Sequence, residues 1–158
     1  MSTVSPSGST PCPVPGTYTF QLPHDPRAPG IARAALRSVL TAHGRTELLD
    51  AAELLASELL TNAHRHTTGS YALRIGPGAM DAHRVRVAVW DGDPKVPLGF
   101  GTCAPSADAT AERGRGLFLV RAYAEDWGAY TFPAGTGGKL LWAECGGYLA
   151  ETKDPASA

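Results

Sequence analysis

Apolar residues recur at helical spacing at Ile31, Ala35, Leu36, Val39 and Leu40, and Gly44 follows, which predicts an amphipathic helix ending at that glycine. A broader stripe of Leu48, Leu49, Ala52, Leu55, Ala56, Leu59, Leu60 and Ala63 predicts a second helix from about Thr46 to Thr67. Elsewhere the period shortens. Tyr18 to Leu22 alternates as a short strand, and Pro23 to Pro29 breaks the chain before the first helix. Tyr71 to Ile75 and Arg84 to Asp91 read as strands joined through a turn at Gly76-Pro77-Gly78. In the second of them Val85, Val87 and Val89 alternate with Arg84, Arg86 and Ala88, so one face is expected to be buried and the other wet. A helix from Gly114 to about Ala124 and strands at Trp127 to Phe132 and Lys139 to Cys145, around the glycine-rich turn 135–138, complete the chain.

Strands that are antiparallel neighbours, with helices gathered on one side, predict an α/β fold. The expected form is a two-layer sandwich with a mixed, largely antiparallel sheet covered on one face by helices. Between the two halves, Pro94 to Arg113 is rich in Pro, Gly, Ala, Ser and Thr and is long for an idle connection, so a mobile lid is expected there.

Composition narrows the class. At 158 residues the chain suits one domain, and 43% hydrophobic against 18% charged residues argues for a packed core over most of its length. Residues 1–15 are rich in Ser, Pro, Thr and Gly and are expected to be a tail, as are 151–158, leaving 16–150 as the domain. A net charge of −1 gives no general case for nucleic acid or an anionic membrane as partner. Neither a basic start with an apolar run nor a stretch of roughly twenty apolar residues is present, so a cytoplasmic location is expected. Cys12, Cys103 and Cys145 lie far apart and are expected to be reduced, ordinary thiols.

Candidate chemistry begins in the long helix. Glu58 and Asn62 lie one turn apart in the run Ser57-Glu58-Leu59-Leu60-Thr61-Asn62, where a carboxylate and a carboxamide on one face can converge on a hard cation. Mg²⁺ with its waters suits the amide oxygen of Asn62, and Glu58 can hold a water or accept a proton from an attacking hydroxyl. An exposed face carrying two routine polar residues is the alternative. His64 and His66, two apart, point to different sides and form no metal pair; His66 shares the face of Glu58 and Asn62, although capping or packing is the commoner role.

Asp91 ends a buried strand, where a carboxylate needs a donor, and an adenine amino group is one. The carbonyl of guanine would meet it acceptor against acceptor, so adenine selectivity follows. A turn-forming Asp before Gly92 is the other reading. Gly114, Arg115, Gly116 and Leu117 bring close backbone approach and free N–H groups to a helix start, where phosphates bind. Neither a dinucleotide fingerprint nor a P-loop is present: Leu119 replaces the third glycine of the one, and Leu140 and Pro133 occupy required positions of the other.

Taken in order, Glu58-Leu59-Leu60-Thr61-Asn62, Asp91-Gly92-Asp93 and Gly114-Arg115-Gly116-Leu117-Phe118-Leu119-Val120 resemble three boxes of one superfamily. It is the gyrase, heat-shock chaperone, histidine-kinase and mismatch-repair (GHKL) ATPase superfamily. The short length and the late Gly138-Lys139-Leu140-Leu141-Trp142 resemble its anti-sigma-factor branch of small serine kinases, over roughly residues 17–146.

That resemblance implies a Bergerat-type ATP-binding fold with ATP and Mg²⁺ as cofactors. Asn62 would sit on the metal, Glu58 would be the catalytic base or water holder, and Asp91 would take the adenine amino group. Gly114, Arg115, Gly116 and Leu117 would match the phosphate loop. A sigma factor and an antagonist protein are the implied partners, with a homodimer possible. Asp93 stands where many members carry glycine and Lys139 where many carry a threonine near the adenine, and the lid has only Gly99 and Gly101. A non-catalytic partner-binding module on the same fold, with or without ATP, is the competing reading.

Overall fold

The computed structural model describes residues 12–98, 100, 115–133 and 137–146. β1 (Tyr18–Leu22) leads to α1 (Ala28–Ala42), then a 3₁₀ turn at Thr46–Leu48 runs into α2 (Leu49–His66). β2 (Tyr71–Pro77), β3 (Val85–Asp91), α3 (Arg115–Tyr123), β4 (Asp126–Thr131) and β5 (Lys139–Cys145) follow. The sheet has five strands in the order β1-β2-β3-β5-β4. All four pairings are antiparallel, so this is the two-layer α/β sandwich expected, without the parallel pair that a mixed sheet would contain.

Local chemistry sets the helix ends. The Asp25 carboxylate accepts the backbone N–H of Arg27 at 2.8 Å, and Pro29 occupies the first turn of α1, where its missing N–H costs nothing. Gly44, at φ 68°, closes α1 by donating to Thr41 O at 3.1 Å, and Arg45 donates to Leu40 O at 2.8 Å. Thr67 ends α2 by turning both its N–H and its hydroxyl onto Ala63 O, at 3.1 and 2.8 Å.

Between the layers lies one core. Leu36, Leu40, Leu55, Leu59 and Leu60 from the helices pack with Leu73, Ile75, Val87, Val89, Leu141 and Ala143 from the sheet. Each of the Leu, Ile and Val side chains contributes about 1.5–3 kcal/mol by leaving water. This packing lays α2 over β3 and β5.

Two expectations need correction. β2 runs on through Gly76 and Pro77, which pair with Arg86 and Val85, so the turn lies at residues 78–84 instead of at Gly76-Pro77-Gly78. Gly76 is needed inside the strand because a Cβ there would meet Thr17 Oγ1 at 2.7 Å. Nor is the far face of the sheet simply wet. Ala88, Leu140 and Trp142 form a second buried cluster there, with Trp90 packed at its edge. The Arg86 guanidinium lies 3.8 Å from the centre of the Trp142 ring, and Tyr130 stacks on it.

Gly128 makes that arrangement possible, since a Cβ there would fall 2.7 Å from the indole. Gly128→Ala is expected to cost about 1–3 kcal/mol by displacing Trp142, read as a shifted midpoint in urea unfolding with tryptophan fluorescence.

Cys145 is buried at the end of β5 and Cys12 is exposed, while Cys103 lies outside the described residues. Burial, helped by Glu125, pushes the Cys145 thiol up to about 12 from an ordinary value of 9.0. A folded-state value above the unfolded one means the neutral thiol stabilises the fold at lower pH, and this contribution is lost as pH rises from about 9 toward about 12. Alkaline unfolding should therefore be less steep in Cys145→Val, and at pH ~8 a thiol reagent should label Cys12 well before Cys145.

Candidate nucleotide site

Asp91 and Lys139 face one another across the β3–β5 ladder at the sheet end nearest the close of α2. Both are 1% exposed. Lys139 Nζ donates to Asp91 Oδ1 at 2.9 Å and to the Asp93 backbone carbonyl at 2.9 Å. The Asp93 backbone N–H donates to the same Asp91 Oδ1 at 2.9 Å. Among the described residues both side-chain hydrogen bonds of Asp91 fall on Oδ1, and Oδ2 has no donor among them.

The turn after β3 is stitched to this pair. Asp93 does not aim its carboxylate at Asp91; instead its Oδ1 accepts the backbone N–H of Lys95 at 3.0 Å. Gly138 closes the other side at φ 86°, where a Cβ would fall 2.1 Å from the Asp91 carbonyl oxygen. No other residue fits both the backbone angle and the gap. Gly138→Ala is expected to cost about 2–3 kcal/mol by displacing the Asp91 backbone, checked by urea unfolding.

On α2, Glu58 is half-buried and without a resolved ion pair among the described residues. One turn on, Asn62 Oδ1 is buried and has no hydrogen-bond partner among the described residues. A buried amide oxygen left unpaired costs about 1–3 kcal/mol, so it fits a donor or cation supplied by a ligand. The donor set suits Mg²⁺, a hard cation that takes neutral and anionic oxygens and keeps several waters. Among the described residues no cluster of three or more His, Cys, Asp or Glu side chains could hold a metal on its own.

His64 turns away from this face. Its Nδ1 lies 3.0 Å from the Tyr71 hydroxyl, and its ring stacks on His24 at 4.1 Å, so it is a packing residue. His66 is exposed and lines a cleft of about 420 Å³ with Thr67, Thr68, Gly69, Ser70, Trp90, Gly92 and Asp93.

Arg115, Gly116 and Leu117 form the first turn of α3, which packs on α2, while Gly114 lies outside the described residues. Most of the segment expected to be a lid, 99 and 101–113, lies outside them too. Phe100 is 2% exposed and joins the core. The sequence signal for Phe100 was only an isolated aromatic in a Gly- and Pro-rich stretch. Lys139 stood out as a departure from a family pattern, and its pairing with Asp91 depends on a strand register between distant segments.

Glu58 and Asn62 thus lie on a helix that covers an antiparallel sheet ending in a buried aspartate, the frame of a two-layer α/β sandwich. The family model for the histidine kinase-like ATPase domain matches residues 22–143, well over half of the chain, and the chain belongs to that family. No curated protein matches it. Among the described residues no helix is long and apolar enough to cross a membrane.

Proposed function

We propose that this protein is an anti-sigma factor of the GHKL class that binds ATP with Mg²⁺ and phosphorylates a serine on an antagonist protein. The observation that carries the nucleotide reading is the buried, unpartnered Asn62 Oδ1 one turn from Glu58. Asp91 Oδ2 would take the adenine amino group. Asn62 would hold Mg²⁺, which when bound supplies charge neutralisation to the phosphates. The N–H groups opening α3 at Arg115, Gly116 and Leu117 would cradle the phosphate oxygens.

Glu58 would accept the proton of the attacking serine hydroxyl, and the rest of the catalysis is positioning. Phosphate added to the antagonist brings close to two negative charges into its interface with this protein and favours release. A sigma factor is the second proposed partner, held on a surface beside the nucleotide site, and a homodimer is the proposed assembly.

One observation favours the non-catalytic module instead: Lys139 already neutralises Asp91 without any nucleotide. Calorimetric titration with Mg²⁺ and ATP, then GTP, followed by transfer of labelled γ-phosphate to candidate antagonists, separates the readings. The kinase reading expects saturable ATP binding, weak GTP binding and label on a serine. ATP binding without transfer to any antagonist supports the module, and absence of binding at ~1 mM ATP overturns the nucleotide site altogether.

A further inference from the structure

Lys139 is the least expected side chain in the site: an ammonium at 1% exposure, on the strand directly opposite the carboxylate proposed to read the base. Its ammonium has three donors, of which two are taken, by Asp91 Oδ1 and Asp93 O, each at 2.9 Å. The third has no acceptor among the described residues. An acceptor, Asp91 Oδ2, thus sits beside a donor, Lys139 Nζ, on two strands held in register by the ladder.

We propose that Lys139 is a base-reading residue, donating its third N–H to ring nitrogen N1 of the adenine whose amino group Asp91 accepts. This rests on the nucleotide reading above and adds a second recognition point to it. Adenine presents a donor at its 6-amino group and an acceptor at N1. Guanine presents the reverse at the same two places, a carbonyl oxygen and an N–H. The carboxylate and ammonium therefore match adenine twice and oppose guanine twice, and a site built on buried groups rejects the wrong pattern strongly because both are left unpaired.

A base contact is also more than the ion pair alone requires. An ammonium held only to balance Asp91 gains nothing from the nucleotide, so its loss would weaken all nucleotides alike. A base-reading ammonium distinguishes ATP from an analogue that lacks only N1.

The test titrates the full-length protein with ATP and with 1-deaza-ATP, in which a C–H replaces N1, and repeats both with Lys139→Met. The wild type should bind 1-deaza-ATP about tenfold more weakly than ATP, and the variant should bind the two alike. As a check that needs no variant, the ammonium resonance of Lys139 in the wild type should shift on adding ATP and not on adding 1-deaza-ATP. Equal binding of both nucleotides by the wild type, an unchanged preference in Lys139→Met, or an ammonium signal that ignores ATP overturns the role of Lys139 while leaving the nucleotide site standing. Failure of the wild type to bind ATP at all overturns the nucleotide reading and this inference with it.

Discussion

Asp91→Ala should lower the unfolding free energy by about 3–5 kcal/mol, because it strands a buried ammonium with no counter-charge. Lys139 is 1% exposed, so little water is at hand to take the place of the lost carboxylate. The remaining acceptor, the Asp93 carbonyl at 2.9 Å, is neutral and offsets little of that cost. Urea unfolding of Asp91→Ala, Lys139→Met and Asp91→Leu with Lys139→Met together resolves the pair. Removing both charges at once should recover most of the lost stability, since apolar replacement of a buried ion pair is often close to neutral. A single variant within ~1 kcal/mol of the wild type would mean that water hydrates the pair and that it is not sealed in the core.

On the proposed kinase function, Glu58→Gln should slow phosphotransfer by about 10²–10⁴-fold, the range a positioned general base contributes, while leaving ATP affinity within a few-fold. The substitution keeps the shape of the side chain while removing its negative charge and its ability to take a proton. Because Glu58 is half-buried on α2 and its neighbours Leu59 and Leu60 fill the core, the helix itself should be unaffected. Labelled γ-phosphate transfer in single turnover, with calorimetric ATP titration alongside, measures both quantities. Transfer at the wild-type rate would remove Glu58 from the chemistry, and a matching loss of affinity would make it a binding residue.

Much of the architecture was legible because it is written in local periodicity. The stripe from Leu48 to Ala63 places α2 within a few residues, and Gly44 marks the end of α1, because helix faces and caps depend on neighbours three and four positions away. That Glu58 and Asn62 lie one turn apart on α2 was readable for the same reason. The run from Gly76 to Pro77 misled, since glycine and proline usually punctuate a turn. Here the close approach of Thr17 made glycine necessary within a strand instead. The second apolar face was hidden because Arg86 between two valines reads as solvent-facing, whereas it lies flat on Trp142, a residue of another strand.

By itself, then, the sequence determined the helices, the strands, the sandwich class and the ordered motifs that carry the family resemblance, all of them set by short-range spacing. Only the tertiary structure decided that β5 lies between β3 and β4, and that Lys139 meets Asp91 across 48 residues of chain. Ladder register between distant strands follows from how the whole core packs under α2, so no local pattern announces which charge will face which. The same packing buried Asn62 Oδ1 without a partner among the described residues, which no local pattern announces either.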